Sequence, residues 1–179
     1  TVEIGGMSGM VEVEEGFTRR SGIHHATLRN VSIGNDCLIE NVGGYISAYD
    51  ISDRVFISNV GVLTTQGEPT WGQGQVISVL NEGGDGNVII YDRLTAQTAS
   101  LMLEHESVRQ LVEHELAARR PLQRGTIGQG ARIVGLREMQ NTLVGDACEV
   151  EGACRICEST ILSSDEASTV IGADVVLEE

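Results

Sequence analysis

The sequence predicts an all-β fold of short strands and turns that repeat every six residues, with one insertion. Bulky apolar residues recur at six-residue steps, and Gly, Asn, Asp or Ser follow many of them. Aromatic residues are scarce, with two Phe, three Tyr and one Trp among 179 residues. The core must therefore be built from Ile, Val, Leu and small residues, which suits regular packing.

The first run of the repeat spans residues 31–63. Six bulky residues keep an unbroken six-residue register: Ile33, Ile39, Tyr45, Ile51, Ile57 and Leu63. The positions two residues earlier are mostly small: Val31, Cys37, Gly43, Tyr49, Val55 and Gly61. Residues two apart in a strand point to the same face, so each pair predicts a three-residue strand facing inward. The turn residues that follow tolerate the left-handed backbone and close each unit.

The register returns after residue 125. The bulky positions are then Ile127, Ile133, Met139, Val144, Val150, Ile156 and Leu162, followed by Ile171 and Leu177. Cys37, Cys148 and Cys154 occupy the small inward position, and Cys157 falls at a turn. We therefore expect buried core thiols. A zinc site is the weaker alternative, because its ligands would have to converge from one face.

The six-residue repeat unit, or hexad, is absent from the sequence between Leu63 and Gly125. Within this insertion, apolar residues fall at helical spacing: Leu94, Leu101, Val108, Leu111, Val112 and Leu116. This pattern predicts an amphipathic helix over about residues 92–120, either continuous or broken in two. Asp92 is a candidate N-cap or first-turn acid, and Arg119–Arg120 would favour the negative end of the helix dipole. The apolar stripe should pack on the flank of the β-coils or on a neighbouring subunit.

These patterns divide the chain into four parts. Residues 1–26 predict a partial coil or an edge strand, because Val11 and Val13 alternate with Glu12 and Glu14. Repeat coils follow over 27–63, the insertion over 64–124 and further coils over 125–179. Since the chain opens at Thr1 and stops just after a new repeat unit, we expect it to continue in a longer protein.

The hexad resembles the hexapeptide-repeat superfamily of transferases, whose members fold as left-handed parallel β-helices with three hexads per coil. The resemblance implies that Ile33 lies beneath Ile51, Ile39 beneath Ile57 and Tyr45 beneath Leu63. Four phrases within residues 20–100 are similar to a large uncharacterised bacterial family sometimes labelled nucleotide-sugar pyrophosphorylase-related. They are Ser21-Gly22-Ile23 followed by Ala26-Thr27-Leu28, Ile39-Glu40-Asn41-Val42, Val79-Leu80-Asn81-Glu82-Gly83-Gly84 and Tyr91-Asp92-Arg93-Leu94.

The resemblance implies a transferase-like protein, with acyl transfer to a sugar or nucleotide sugar as the leading hypothesis. His25 is the candidate general base, acyl-CoA the donor to expect for that reaction, and a homotrimer the expected assembly. The alternative is a non-catalytic β-helix that serves oligomerisation or regulation in a sugar-phosphate nucleotidyltransferase-related protein. A metal hydratase ranks last, because it would need three converging histidines.

Polar residues of the insertion supply the candidate binding groups. Asn81 and Glu82 lie in a Gly-rich loop that suits either a sugar hydroxyl or a structural turn. Asp92 and Arg93 could form a ligand clamp or a capping pair. Arg119, Arg120 and Arg124 make the one dense basic cluster, which suits a coenzyme A or nucleotide phosphate or, alternatively, a helix C-terminus.

Charge narrows the choice of partners. The 12 basic residues are all arginine and face 26 acidic residues, which gives a net charge of −14. Such a field opposes binding to nucleic acid or to an anionic membrane. No apolar run approaches the roughly 20 residues of a membrane helix and no signal peptide opens the chain, so we expect a cytoplasmic protein. No metal is expected, and the residues by themselves assign no cofactor.

Overall fold

The computed structural model describes residues 1–79, 86–119, 122–164 and 166–178. These residues form two compact units. The coil unit comprises Thr1–Trp71 and Leu122–Glu178, and the inserted unit comprises Gly72–Pro121. Thr64–Trp71, which the repeat pattern assigns to the insertion, therefore belongs to the coil unit.

The described residues form short strands and two helices, all numbered in chain order. The first nine strands are β1 (Val2–Ile4), β2 (Met10–Glu14), β3 (Phe17–Arg20), β4 (Gly22–His24), β5 (Leu28–Ile33), β6 (Leu38–Val42), β7 (Ile46–Ile51), β8 (Phe56–Val60) and β9 (Val62–Thr64). The inserted unit contains β10 (Val76–Ser78), β11 (Asn87–Ile89), α1 (Ala96–Glu104) and α2 (Glu106–Ala118). The remaining strands are β12 (Gly125–Ile127), β13 (Arg132–Val134), β14 (Glu138–Val144), β15 (Glu149–Glu151), β16 (Arg155–Ile161), β17 (Val170–Ile171) and β18 (Val176–Leu177).

The coil unit is built from parallel strands that return to the same sheet after each circuit of the chain. One sheet runs in the order β1-β5-β7-β12-β14-β16-β18, with β9 between β7 and β14, and the other runs β17-β15-β13-β8-β6-β4. Ile33 pairs with Ile51 and Ile39 with Ile57, as the family resemblance implies. The six-residue repeat therefore sets the register of these ladders.

Each circuit has three faces, because the long strands bend at residues with positive φ. In β5 the bend is at Asn30 (φ 51), and in β7 it is at Ala48 (φ 56). The first face contains rows 31–33, 49–51 and 125–127. The second face contains rows 38–40, 56–58 and 132–134. The third face contains rows 28–29, 46–47 and 62–64.

Inward-facing aliphatic side chains fill the core of the coil unit. Ile39, Ile57, Ile133 and Ile156 are completely buried. Tyr49 is buried as well, and its hydroxyl donates to the carbonyl oxygen of Thr142 at 3.3 Å. Burial raises the pKa of Tyr49, so the phenol stays protonated and serves as a structural donor.

Two bulky positions differ from the sequence prediction, because corners add or remove a residue. Tyr45 is 41% exposed, and Ile46 is the buried residue that pairs with Leu63. Leu162 is 52% exposed, whereas Ile161 is buried.

The cysteines follow the register only in part. Cys37 and Cys148 are buried as predicted, but Ala153 takes the inward position expected for Cys154. Cys157 lies in β16 and pairs with Gln140, so it is a strand residue and not a turn residue. All four cysteines are free thiols. Burial raises the pKa of the Cys37 thiol, whose sulfur lies 3.0 Å from the carbonyl oxygen of Ser52.

A β-hairpin covers part of the second face. In β2, Val11 and Val13 are buried against the outward-facing Leu38 and Phe56, while the intervening glutamates are exposed. A salt bridge also holds the hairpin: Arg19 donates to Glu40 at 2.7 Å. The strand predicted near Val11 is confirmed, and it extends the apolar packing outside the coil.

The inserted unit has its own small core. Strands β10 and β11 pair antiparallel, and both helices pack against Val88 and Ile89 through residues that include Met102 and Val112. The helix begins after Thr95, whose side chain accepts from the Thr98 N–H at 3.1 Å. The predicted capping role of Asp92 is therefore wrong. His105 separates the two helices.

The apolar stripe predicted for the insertion is buried only in part. Leu94, Val108 and Leu116 pack on the small core, but Leu101 and Leu111 are exposed. Within the described ranges, neither helix has the length and apolar character needed to cross a membrane.

Candidate functional site

A cleft on the third face combines polar side chains from three adjacent strands. Leu28, Ile46 and Leu63 point inward on β5, β7 and β9. Their neighbours therefore point outward, which places Arg29 beside Ser47 and Ser47 beside Thr64. The repeat thus presents one cation and two hydroxyls in a row.

The cleft around this row has a volume of about 730 Å³. We call it the polar cleft; it is lined by Thr27, Arg29, Asn30, Gly44, Tyr45, Ser47, Thr64, Thr65 and Gln66. The volume lies within the range of small-molecule sites, which runs from about 300 to 1,000 Å³.

Charge distinguishes the polar cleft from most of the surface. None of the described residues that line it is acidic, although the chain has a net charge of −14. Arg29 is exposed and makes no ion pair with any residue in the described part of the chain. Its guanidinium is therefore free to bind an anionic group.

Tyr45 contributes an exposed aromatic ring to the polar cleft. The corner before it is tight: a Cβ on Gly44 would lie 2.9 Å from the Gly61 carbonyl oxygen and 2.7 Å from a Val62 methyl carbon. The glycine lets the corner close. At the strand that follows, Ile46 takes the inward position and Tyr45 faces outward. A ring in this position can stack on the apolar face of a sugar or base.

The far wall of the polar cleft is tied to the coils by hydrogen bonds. The Gly125 N–H donates to Thr65 Oγ1 at 2.9 Å, and the Gln66 N–H donates to Asn141 Oδ1 at 2.9 Å. This wall is consequently held before any ligand binds.

Glu158 anchors the segment that continues from this wall. Its Oε2 accepts from the Thr70 N–H at 2.7 Å, the Thr70 hydroxyl at 2.9 Å and the Trp71 N–H at 3.1 Å. Asn141 donates to the other oxygen. Burial acts to raise the pKa of Glu158, but these hydrogen bonds outweigh it, and the pKa is lowered. Glu158 thus serves as an ionised clamp for residues 70–71.

His25, the predicted catalytic base, is an exposed corner residue with φ 49. Its carbonyl oxygen accepts from the Val42 N–H at 2.9 Å, which fixes the backbone at this corner. His25 precedes Thr27, a lining residue of the polar cleft, by two positions. Its role as a base stays a prediction.

Three predicted binding residues lie together in the inserted unit. Arg119 donates to Asp92 at 2.8 Å, to Glu115 at 3.1 Å and to Gln73 at 3.0 Å. Asp92 and then Glu115 raise the pKa of Arg119. Arg93 approaches Glu115 at 3.7 Å. The charges of Asp92 and Arg119 are thus already engaged with each other, and their ligand roles stay predictions.

Arg124 belongs to the coil unit. It contacts Asp50 and the Tyr49 carbonyl oxygen at 2.8 Å each, and the Ser32 hydroxyl at 3.1 Å. Arg124 therefore bridges β5 and β7 through its contacts with Ser32 and Asp50. Asn81, Glu82 and Arg120 lie outside the described residues.

The sequence prediction missed Arg29 and the rest of the polar cleft. An outward-facing arginine on a strand is typical of a solvated surface, so the residue carried no signal by itself. The Gly43–Gly44 pair before Tyr45 was the available signal, because an added corner residue changes which side chain faces outward.

Comparison with known proteins gives relatives but no activity. An uncharacterized protein of Treponema pallidum (strain Nichols) is 28% identical over 178 residues, a match that covers 90% of this chain. The chain spans 24% of the length of that curated relative. No solved structure matches. The family model described as "Domain of unknown function (DUF4954)" matches residues 1–179, and the chain therefore belongs to that family.

Proposed function

We propose that the coil unit is a left-handed hexapeptide β-helix that binds a phosphorylated or nucleotide-linked sugar in the polar cleft. The observation that carries the proposal is Arg29, which has no ionic partner among the described residues and lies in a cleft whose described lining contains no carboxylate. The parallel registers support the β-helix, because Ile33 and Ile51 are separated by 18 residues, or three hexads. The transferase-like role expected from the sequence would act on this bound sugar.

The groups around Arg29 match the chemistry of such a ligand. A guanidinium binds phosphate through charge-assisted hydrogen bonds, commonly two at a time. The hydroxyls of Thr27 and Ser47 and the amide of Asn30 can donate to and accept from sugar hydroxyls. The Tyr45 ring supplies an apolar surface for the sugar or the base.

Isothermal titration calorimetry with UDP-N-acetylglucosamine, N-acetylglucosamine 1-phosphate and N-acetylglucosamine tests this assignment. The Arg29→Ala variant should bind the two phosphorylated ligands about tenfold or more weakly, which corresponds to roughly 1.4 kcal/mol. Arg20→Ala removes an equal charge from an exposed strand of the hairpin and should leave binding unchanged. Equal affinities in Arg29→Ala and the wild-type protein would contradict the assignment.

Acyl transfer is the reaction that this ligand would serve. His25 would take a proton from a sugar hydroxyl or amine, which would then attack the carbonyl carbon of an acyl-CoA thioester. The carbon–sulfur bond would break, and the imidazolium would return its proton to the CoA thiolate. Release of the CoA thiol should be lost in His25→Ala and kept in His24→Ala. If both variants still release the thiol, His25 is removed from the proposal.

An assembly role is the second candidate function. Val2 and Ile4 pair with the inward-facing Val31 and Ile33, yet they are 41% and 53% exposed. This apolar end of the coil core supports stacking against another β-coil, as an oligomerisation module of a sugar-phosphate nucleotidyltransferase-related protein. The homotrimer and the cytoplasmic location expected from the sequence belong to the proposals as well.

Light scattering separates the two candidates. Self-association that Ile4→Asp abolishes, together with no sugar binding, would favour assembly over ligand recognition. A monomer at every concentration that nevertheless binds the phosphorylated sugars would remove the assembly role.

A further inference from the structure

A second groove lies on another face of the coil unit, beside the hairpin strand β2. It has a volume of about 670 Å³. We call it the hairpin groove; it is lined by Met10, Val11, Glu12, Glu14, Glu15, Arg54, Phe56, Gly130, Ala131, Arg132 and Glu149. Its residues are distinct from those of the polar cleft.

The groove runs along the unpaired edge of β2. Its lining includes four residues of β2 and none of β3, so it lies on the side of β2 that faces away from its partner strand. In the described part of the chain, β2 pairs with β3 alone.

The phase of the hairpin shows which backbone groups face the groove. The Ser21 N–H donates to the Gly9 carbonyl at 3.0 Å, so Met10 and Arg20 form a non-hydrogen-bonded pair. Backbone groups alternate along an antiparallel strand. The backbone N–H and C=O groups of Val11 therefore bond to β3, while those of Met10 and Glu12 point away from β3, toward the groove.

The hairpin groove includes a contact between an arginine and an aromatic ring. Phe56 is buried, and the Arg132 guanidinium lies 4.9 Å from the centre of its ring. An extended chain laid along β2 would cover this stacked pair.

Charge determines which extended chain would fit. Four glutamates, Glu12, Glu14, Glu15 and Glu149, line the groove against Arg54 and Arg132. Glu14, Glu15 and Glu149 form no ion pair with any described residue. The excess of carboxylates, within a chain of net charge −14, favours a cationic occupant.

We propose that β2 accepts an extended peptide segment with basic side chains as an added strand of the hairpin. The backbone of Met10 and Glu12 supplies the strand hydrogen bonds, and the glutamates pair with lysine or arginine on the peptide. This peptide site is independent of the sugar site, so either can fail without the other.

Fluorescence anisotropy with a labelled peptide of alternating lysine and valine tests the site. The peptide should bind, and Glu14→Gln/Glu149→Gln should weaken binding about tenfold, equivalent to roughly 1.4 kcal/mol. The control Glu3→Gln/Glu68→Gln removes two exposed charges outside the groove and should weaken it far less. Equal losses in both double variants would overturn the site, because they would show attraction to overall charge only.

Two further measurements test the added strand. A peptide N-methylated at alternate amides should lose binding, and the Met10 and Glu12 amides should gain protection from hydrogen exchange with the unmethylated peptide. Equal binding of the methylated peptide, or protection elsewhere only, would overturn the proposal. The proposal would also be overturned if the peptide failed to bind because a second copy of this chain already occupied the edge of β2 in solution.

Discussion

At the scale of single residues, Arg29 derives its importance from its neighbours. Ser47 lies beside it on the next strand and Thr64 lies beside Ser47 on the strand after that, and neither hydroxyl neutralises the charge of Arg29. The register that pairs Ile33 with Ile51 also places Ser47 beside Arg29, but it could not show that Thr64 continues the row. The position of Thr64 depends on the length of a corner, which sets the register of the next strand.

Ile161 and Leu162 provide a matched test of that register. Ile161 is 6% exposed and packs in the core, whereas Leu162 is 52% exposed at the next position. Ile161→Ala should therefore destabilise the protein by about 3 kcal/mol, and Leu162→Ala by roughly 0.5 kcal/mol or less. Urea denaturation of both variants measures the difference. The reverse order would support the six-residue register without a slip and contradict the structure.

The clamp at Glu158 is a feature at the scale of the element, because it joins the segment after β9 to β16. Glu158→Gln keeps the size of the side chain but replaces charged acceptors with weaker neutral ones. We expect a loss of about 2 kcal/mol in the free energy of unfolding at neutral pH. Glu151, exposed at the end of β15, offers a matched control in Glu151→Gln, which removes the same charge and should change stability much less.

The clamp also predicts a pH dependence. The pKa of Glu158 is lowered from its ordinary value of 4.5 in the folded protein. Its stabilisation is therefore complete well above pH 4.5 and is lost as the pH falls through the lower folded-state pKa. The difference in urea midpoint between the wild-type protein and Glu158→Gln should shrink over that acid range. A difference that stays constant with pH would show that the ionised carboxylate is not the stabilising form.

The elements show why some parts of the fold could be predicted. The pairs of Ile33 with Ile51 and of Ile39 with Ile57 were predictable from the six-residue period together with the three hexads per coil that the family resemblance implies. Tyr45 could not be placed in the same way, since one extra corner residue moves a side chain from the inside to the outside. The packing of the hairpin on Leu38 and Phe56 was also not predicted, although apolar residues at these outward-facing positions indicate that another element covers them.

The inserted unit illustrates the same limit for the candidate site. Its charged residues stood out in the sequence because Asp92, Arg93 and Arg119 are polar groups near a predicted helix. The fold brings Asp92 and Arg119 to 2.8 Å of each other, where they form a partly exposed ion pair. Spacing in the sequence could not distinguish such an internal ion pair from two unpaired charged side chains that are available to bind a ligand.

At the scale of the whole molecule, the distribution of charge separates two kinds of surface. The net charge of −14 opposes anions in general, so an anionic ligand needs a place without carboxylates. The lining of the polar cleft meets that condition, whereas the hairpin groove carries four glutamates. Under the two proposals, an anionic sugar and a basic peptide would therefore bind different faces of the coil unit.

Nitrogen–proton correlation NMR during a titration with UDP-N-acetylglucosamine tests the central claim most directly. The account predicts dose-dependent shifts for the amides of residues 27–30, 44–47 and 64–66, the segments that contain the lining of the polar cleft, and none of comparable size in the hairpin. The same titration of Arg29→Ala should need about ten times more ligand for equal shifts. Shifts confined to the inserted unit around Asp92 and Arg119, or no shifts at all, would contradict it.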